Sequence, residues 1–126
     1  MRIGILTSGG DCPGINATIR GVCQTAIHQY GMEVVGIHSG FQGLLTKDTE
    51  IITRGSLSGL LNQGGTMLGT SRENPFKKNG VVSGVDKPAL IERNVRELGL
   101  DCIVCIGGNG TTLTAARLAG RGLNIV

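Results

Sequence analysis

Short apolar runs alternate with helical patterns along this 126-residue chain. Runs with an apolar middle, bounded by glycine or polar residues, are typical of the buried strands of parallel sheets. Three such runs lie at 2–6, 33–38 and 102–106. The patterns between and after them predict helices at about 13–29, 86–98 and 111–121. This alternation predicts an α/β fold, a doubly wound and mostly parallel sheet with helices on both faces.

Local signals refine these boundaries. Gly31 predicts the end of the first helix, and Asp86 with Pro88 shortly after it predicts the start of the second. The stretch 64–84 has no clear periodicity, and loops of that length are usually functional or disordered. Weaker signals predict a glycine-rich bend at 39–44, a short strand at 51–53, a short helix around 57–61 and a last strand from 123.

The length of the chain allows one domain at most, which is large enough to bury a core. The last predicted strand stops at Val126, before the loop in which α/β proteins place their chemistry. We therefore expect residues 1–126 to be the N-terminal part of a longer protein.

Composition and charge exclude several classes of function. The net charge is only +3, the longest basic run is Lys77-Lys78 and 2% of the residues are aromatic, so nucleic-acid binding is not expected. No apolar run approaches the roughly 20 residues of a membrane span, and no signal peptide opens the chain. We expect a cytoplasmic protein without membrane contact.

Cys102 and Cys105 have the C-x-x-C spacing of some redox and metal sites, but they fall inside a predicted strand. Residues three apart on a strand point to opposite faces, so the two thiols should diverge. Buried, reduced cysteines are the simpler interpretation.

Two of the predicted strands are followed by a glycine-rich turn and then by the start of a helix. The turns are T-S-G-G at 7–10 and G-G-N-G at 107–110. Backbone N–H groups in such turns approach an anion closely, and the helix dipole favours negative charge there. Neither turn has the spacing of a dinucleotide fingerprint or a P-loop, and each alone could be an ordinary connection. Together they favour one phosphate-rich ligand across two strand ends.

Arg72 lies in the irregular stretch, beside a serine and near glycines. An arginine on such a loop could neutralise charge on a phosphoryl group during transfer. The alternative is a solvated surface arginine, the commoner role of a single arginine, and this alternative applies more strongly to Lys77 and Lys78. His28 and His38 match no metal-ligand spacing.

Three motifs together resemble the N-terminal portion of the phosphofructokinases. They are T-S-G-G-D-C-P-G-I-N at 7–16, G-G-T-M-L-G-T-S-R at 64–72 and I-G-G-N-G-T at 106–111. They follow the order and spacing of that family and span essentially the whole chain. The resemblance implies a phosphofructokinase-like fold and phosphoryl transfer to fructose 6-phosphate, with ATP and Mg²⁺ as cofactors. It also implies a homo-oligomer, either a tetramer or a dimer.

The same resemblance implies roles for individual positions. Gly10 would contact the phosphates of the donor through its backbone, and Arg72 would offset charge on the phosphoryl group in the transition state. Glu73 and Lys77 would line the nucleotide pocket. The loop for the ATP phosphates and Mg²⁺ would comprise Gly108, Asn109, Gly110 and Thr111.

Three positions bear on the donor and on regulation. ATP-using members keep glycine at the position of Gly110, where pyrophosphate-using members usually carry an aspartate that would fill the space of the α-phosphate, so the resemblance favours ATP. Asn109 replaces an aspartate associated with the metal and offers an amide oxygen instead. Gln24 replaces an arginine of the bacterial effector site, which Arg20 and Arg54 match.

The catalytic base of the family belongs to a T-I-D-N-D segment, which is expected shortly after Val126. The chain by itself is therefore expected to be inactive. The first hypothesis is an ATP-dependent 6-phosphofructokinase of glycolysis, which makes fructose 1,6-bisphosphate. The alternatives are a pyrophosphate-dependent phosphofructokinase and a non-catalytic nucleotide-binding or regulatory subunit.

Overall fold

The computed structural model describes residues 1–8, 15–53, 68–69, 75, 81–82 and 85–126. Its elements, in chain order, are β1 (Arg2–Thr7), α1 (Ile15–Gln24), β2 (Glu33–Ile37), α2 (Phe41–Thr46), β3 (Thr49–Ile52), β4 (Val81–Val82), β5 (Val85–Asp86), α3 (Lys87–Leu98), β6 (Cys102–Ile106) and α4 (Asn109–Gly120). A π-helical turn, Thr25–Gln29, continues α1. No helix within the described ranges is both long and apolar enough to cross a membrane.

A four-stranded sheet in the order β3–β2–β1–β6 forms the framework. The central strand β1 pairs in parallel with β2 and with β6, while β3 pairs antiparallel with β2. At the β6 edge, the N–H of Ile103 donates to the Asn124 carbonyl oxygen at 2.9 Å, and the N–H of Val126 donates to the Ile103 carbonyl oxygen at 2.9 Å. The chain after residue 123 thus pairs in parallel with β6, where a last strand is predicted. The prediction of a mostly parallel sheet is confirmed.

Two cores, one on each face of the sheet, hold the helices. Because successive side chains of a strand point to opposite faces, Ile5 of β1 packs in the first core and Leu6 in the second. The first core takes its helical residues from α1 and its π-helical turn, namely Ile15, Ile19, Cys23 and Ala26. The second core takes them from α2, α3 and α4, namely Phe41, Leu44, Ile91, Val95 and Leu118. Helices cover both faces, as a doubly wound fold requires.

Capping residues set both ends of α3. The Asp86 carboxylate accepts a hydrogen bond from the N–H of Ala89 at 3.3 Å, and Pro88 stands in the first turn. At the other end, Gly99 has a φ of +70°, and its N–H donates to the Arg96 carbonyl oxygen at 3.1 Å. Glycine adopts this left-handed conformation without steric cost. The predicted boundaries of this helix are confirmed.

The prediction of a glycine-rich bend at 39–44 is wrong from residue 41 onward, where the chain forms α2. A buried contact holds this short helix, and sequence periodicity does not show it. The side-chain amide of Asn94, on α3, donates to the carbonyl oxygens of Leu44 at 2.7 Å and Leu45 at 3.1 Å. These carbonyls belong to the last turn of α2, which has no helical N–H of its own to bond. Tertiary packing therefore decides the structure here.

Two surface ion pairs join α3 to the neighbouring helices. Lys47, directly after α2, pairs with Glu97, and the hydrogen bond between them lowers the pKa of the Glu97 carboxyl. Arg121, directly after α4, places its Nε 2.7 Å from Glu92, and this hydrogen bond raises the pKa of the guanidinium. Exposed pairs of this kind contribute little to stability, so the buried contacts determine how the helices pack.

The remaining boundaries differ from the predicted ones by small amounts. The helix α4 begins at Asn109 rather than at 111, and β3 begins at Thr49 rather than at 51. The strands β4 and β5 form a short antiparallel pair at the end of the stretch predicted to be irregular. The short helix predicted around 57–61 lies outside the described residues.

Cys102 and Cys105 lie on opposite faces of β6. Cys102 packs against the first core and Cys105 against the second, so the predicted divergence of the two thiols is confirmed. Burial raises the pKa of Cys23, in the first core, to about 11. Burial, with a further electrostatic contribution from Cys102, raises the pKa of Cys105 to about 12. Protonated thiols of this kind are poor nucleophiles.

The raised thiol pKa values predict slow alkylation of the native protein. At pH 8 a thiol with a pKa of about 12 has a thiolate fraction about a thousandfold below that of one at 9.0. We expect iodoacetamide to modify Cys105 and Cys23 at least about a hundredfold more slowly in the native state than in urea, because fewer thiolates form and, at the fully buried Cys23, access is also blocked. Mass spectrometry of the separate peptides measures each rate. Equal rates in both conditions would show that these thiols are not buried.

We expect a glycine-to-alanine substitution to change the free energy of unfolding in opposite directions at two helical positions. A Cβ at Gly43 of α2 would clash with the His38 carbonyl oxygen and lie 2.8 Å from Cγ2 of Ile37, so Gly43→Ala should lower the free energy of unfolding by at least about 2 kcal/mol. A Cβ at Gly21 of α1 would meet no atom within 4 Å. Gly21→Ala should therefore raise this free energy by about 0.5–1 kcal/mol through helix propensity. Urea unfolding measures both, and two changes of the same sign would contradict the packing described for α2.

Candidate functional site

The order in which strands are added to the sheet reverses at β1. From β1 the chain first adds β2 on one side of it, and later adds β6 on the other. The carboxyl ends of β1 and β6 are neighbours, because Thr7 pairs with Ile106 in the sheet and the N–H of Ser8 donates to the Ile106 carbonyl oxygen at 3.0 Å. Open α/β sheets bind ligands in the crevice at such a point. The two glycine-rich turns thus begin at adjacent strand ends. We call the described start of the first turn, Thr7 and Ser8, the first elbow and residues 107–110 the second elbow.

The second elbow packs closely against the first. A Cβ on Gly107 would lie 2.6 Å from the carbonyl oxygen of Ser8 and would also clash with the hydroxyl of Thr111. Real Cβ atoms do not approach so closely, so a side chain at this position would push the two elbows apart. Gly107 is therefore needed for the contact between the elbows rather than for its flexibility alone.

The amino end of α4 follows the second elbow. Gly108 is the N-cap residue, with extended backbone angles, and has no side chain that could accept a hydrogen bond from the first N–H groups of the helix. Gly108 and Gly110 are exposed, and a Cβ on either would meet no atom within 4 Å. This end of α4 therefore presents backbone N–H groups and the positive end of a helix dipole beside open space.

A third segment reaches the same edge of the sheet. The N–H of Ser39, just after β2, donates to the Leu68 carbonyl oxygen at 2.9 Å. The hydroxyl of Thr7 donates to the Gly69 carbonyl oxygen at 2.9 Å. Leu68 itself is buried in the first core, and Gly69 has a φ of +74°. Residues at the ends of β1 and β2 thus hold Leu68 and Gly69, which Thr70 separates from the S-R sequence at 71–72.

The predicted site residues fall into two groups. Gly10, Arg72, Glu73 and Lys77 lie outside the described residues. Gly108, Asn109, Gly110 and Thr111 follow β6, at the carboxyl edge of the sheet. The hydroxyl of Thr111 is buried against Gly107, inside the junction between the elbows.

Thr7 and Ser39 contribute to this edge in ways that the sequence did not predict, although Thr7 belongs to the T-S-G-G motif. Thr7 is the last residue of a strand, and Ser39 precedes a glycine in a turn. Neither position has a side-chain pattern of its own, because both act on carbonyl groups more than 25 residues away in the sequence. Only the geometry of the folded chain reveals them.

Sequence comparisons match this chain to several known proteins. ATP-dependent 6-phosphofructokinase 3 from Bacteroides thetaiotaomicron is 80% identical over all of this chain, which covers 38% of that relative. ATP-dependent 6-phosphofructokinase from Spirochaeta thermophila is 48% identical over 98% of the chain and 35% of the relative. Pyrophosphate–fructose 6-phosphate 1-phosphotransferase from Amycolatopsis methanolica is 42% identical over all of the chain and 35% of the relative. The chain thus spans little more than a third of the length of these curated relatives.

Solved structures give the same result. The phosphofructokinase structure from Saccharomyces cerevisiae matches 95% of this chain with a TM-score of 0.83 and 33% identity, over 15% of that chain. The phosphofructokinase from Pichia pastoris matches 94% with a TM-score of 0.84 and 31% identity, over 13% of that chain. The profile of the family described as "Phosphofructokinase" matches residues 2–126. With the three motifs and the paired elbows, this match shows that the chain belongs to the phosphofructokinase family.

Proposed function

We propose that the complete protein containing this chain is an ATP-dependent 6-phosphofructokinase. It transfers a phosphoryl group from ATP to the 1-hydroxyl of fructose 6-phosphate and gives fructose 1,6-bisphosphate, a step of glycolysis. The observation that carries the proposal is the contact of Gly107 with Ser8, which brings the two elbows together at the carboxyl edge of β1 and β6. In this proposal, a single string of phosphates would contact both turns. The ATP-dependent 6-phosphofructokinase 3 that is 80% identical to this chain supports the choice of reaction.

Residues 1–126 would supply the donor-binding part of a longer two-domain enzyme. Backbone N–H groups of Gly10 and of the first turn of α4 would bind phosphoryl oxygens. The proton-accepting aspartate and the contacts to the sugar phosphate would come from chain outside residues 1–126. Residues 1–126 alone would then bind nucleotide weakly and transfer nothing.

Catalysis in this proposal depends on positioning and electrostatics. Phosphoryl transfer needs little covalent participation from the protein, because the transition state is stabilised by charge and by alignment. Arg72 would offset the charge on the transferring group. Glu73 and Lys77 would line the nucleotide pocket. The hydrogen bonds to the Leu68 and Gly69 carbonyl oxygens support this role, because they hold these two residues at the carboxyl edge of the sheet, shortly before Arg72 in the sequence.

In this proposal, Mg²⁺ binds together with the donor. The described residues contain no group of three or more His, Cys, Asp or Glu side chains that could hold a metal. Mg²⁺ commonly keeps several waters and is bound through substrate phosphates with one or two protein groups. The Asn109 amide is the candidate protein group. Bound there, Mg²⁺ would supply positive charge beside the phosphates.

Gly110 supports ATP as the donor. A Cβ on Gly110 would meet no atom within 4 Å, so the space directly beside this position is open. A pyrophosphate-dependent enzyme is the second candidate, because a pyrophosphate–fructose 6-phosphate 1-phosphotransferase is 42% identical to this chain. A non-catalytic nucleotide-binding or regulatory subunit is a third, motivated by Asn109 in place of an acidic metal ligand. The proposal also includes a cytoplasmic homo-oligomer, a tetramer or a dimer.

The choice of donor predicts a preference that Gly110 controls. The complete protein should phosphorylate fructose 6-phosphate with ATP, and Gly110→Asp should lower kcat/KM for ATP by about a hundredfold or more, because the carboxylate would repel and displace the phosphates. Gly120→Asp adds the same carboxylate at the far, exposed end of α4 and should leave kcat/KM within about twofold. A coupled assay of fructose 1,6-bisphosphate measures both. Turnover with pyrophosphate alone would contradict the proposal, and turnover with neither donor would favour the regulatory subunit.

The role proposed for Arg72 predicts a loss of rate rather than of affinity. Arg72→Ala should lower kcat by about a hundredfold to a thousandfold and change the KM for ATP by less than about threefold, because the lost interaction is made in the transition state. Arg96→Ala, which removes an exposed arginine of α3, serves as the control and should change neither constant. Steady-state kinetics of the complete protein provides both. Equal losses in kcat and in ATP affinity would assign Arg72 to binding of the ground state.

A further inference from the structure

We propose that Thr114 is a positioning residue, whose buried hydroxyl orients a backbone N–H at the amino end of α4. The inference rests on the function proposed above and adds to it a residue that acts on the donor through the backbone. The Thr114 side chain is buried in the second turn of α4, and its Oγ1 donates to the Gly110 carbonyl oxygen at 3.0 Å. Thr114 lies outside the motif at 106–111 and outside the first helical turn, to which donor binding is assigned.

The planarity of the peptide bond links this hydrogen bond to the donor side. The carbonyl oxygen of Gly110 and the N–H of Thr111 belong to one peptide unit and point in opposite directions. A bond that fixes the direction of the carbonyl therefore also fixes the direction of the N–H. Because Gly108 is the N-cap residue, the N–H of Thr111 belongs to the first turn, whose N–H groups have no carbonyl partner within the helix. The Thr111 N–H is thus one of the groups that would bind donor phosphates.

The amino end of α4 needs such a restraint, because it begins with glycines. Gly108, the N-cap residue, has no side chain that could hold the first N–H groups, and a Cβ on Gly110 would meet no atom within 4 Å. Glycine loses the most backbone freedom on folding, so this helix start is costly to order. A helical carbonyl accepts one N–H from four residues onward, and its second lone pair is available to a hydroxyl. The Thr114 hydroxyl thereby ties the exposed Gly110 to a buried side chain.

A second threonine makes the same kind of bond, but its substitution would not isolate positioning. The Thr112 hydroxyl donates to the Gly108 carbonyl oxygen at 3.1 Å. Thr112 is exposed and belongs to the first turn, so its side chain is free to contact the donor directly. Thr114 is only 5% exposed, and its hydroxyl is already engaged with Gly110. An effect of Thr114 on the donor must therefore pass through the backbone.

The test measures binding of ATP to the complete protein by titration calorimetry, without sugar phosphate. Thr114→Val keeps the shape of the side chain and removes the hydroxyl, and should raise the Kd for ATP by about 3- to 10-fold, as the loss of one hydrogen bond does. Thr114→Ser keeps the hydroxyl and should bind ATP within about twofold of the unaltered protein. Thr46→Val is the matched control and should leave the Kd unchanged. The Thr46 hydroxyl makes the same bond inside α2, to the Gln42 carbonyl oxygen at 3.1 Å.

A second probe separates an effect on phosphate binding from a general change of structure. Inorganic tripolyphosphate should lose affinity for the Thr114→Val protein by about the same factor as ATP, because the Thr111 N–H would contact phosphate oxygens. In steady-state kinetics, the same variant should keep kcat and the KM for fructose 6-phosphate within about twofold. A loss of affinity for ATP alone, with tripolyphosphate binding unchanged, would overturn the inference.

Two further results would also overturn it, namely an unchanged Kd for ATP in Thr114→Val and equal losses in the serine and valine variants. If the valine variant does not fold, Thr114→Cys replaces it under the same criteria, because a thiol is only a weak donor. The binding measurements need no turnover, so the two proposals fail separately. A protein that binds ATP through Thr114 but transfers nothing to fructose 6-phosphate would overturn the proposed function and support this inference. A protein that binds neither ATP nor tripolyphosphate would overturn both.

Discussion

The direct contact between the two elbows is the constraint on which the candidate site depends. Ser8 extends the pairing of β1 with β6 by one hydrogen bond, and its carbonyl oxygen then lies where a side chain of Gly107 would have to be. The spacing between the elbows is therefore set by backbone atoms, which cannot be adjusted by rotamer changes. Such a rigid edge suits a reaction in which alignment and charge do most of the catalytic work.

Much of the fold could be predicted because the sheet is buried on both faces. Strands in such a sheet are apolar along their whole length, so β1, β2 and β6 stand out against the polar turns that follow them. The cap at Asp86 and the glycine at 99 likewise report local chemistry that acts within a few residues. α2 could not be predicted in this way, because it is held by Asn94, whose amide reaches it from about 50 residues away.

The candidate site shows the same division between local and distant information. The motif at 106–111 predicted a glycine-rich turn between a strand and a helix. The structure has this turn and places Gly108 and Gly110 at the open amino end of α4. It did not predict that the Thr111 hydroxyl turns inward, towards Gly107. The hydrogen bond from Thr7 to Gly69 spans 62 positions, and no pattern along the chain carries it. Contacts between distant segments become visible only when the sheet brings strand ends together.

The two thiols of β6 make this strand a natural reporter of how the fold opens. Since one sulfur belongs to the layer covered by α1 and the other to the layer covered by α2, α3 and α4, each labels a different half of the molecule. Proteins open in cooperative units that need not coincide with the whole domain. The order in which the two sulfurs become accessible to solvent would therefore show which helical layer separates from the sheet first, without an engineered label on the chain.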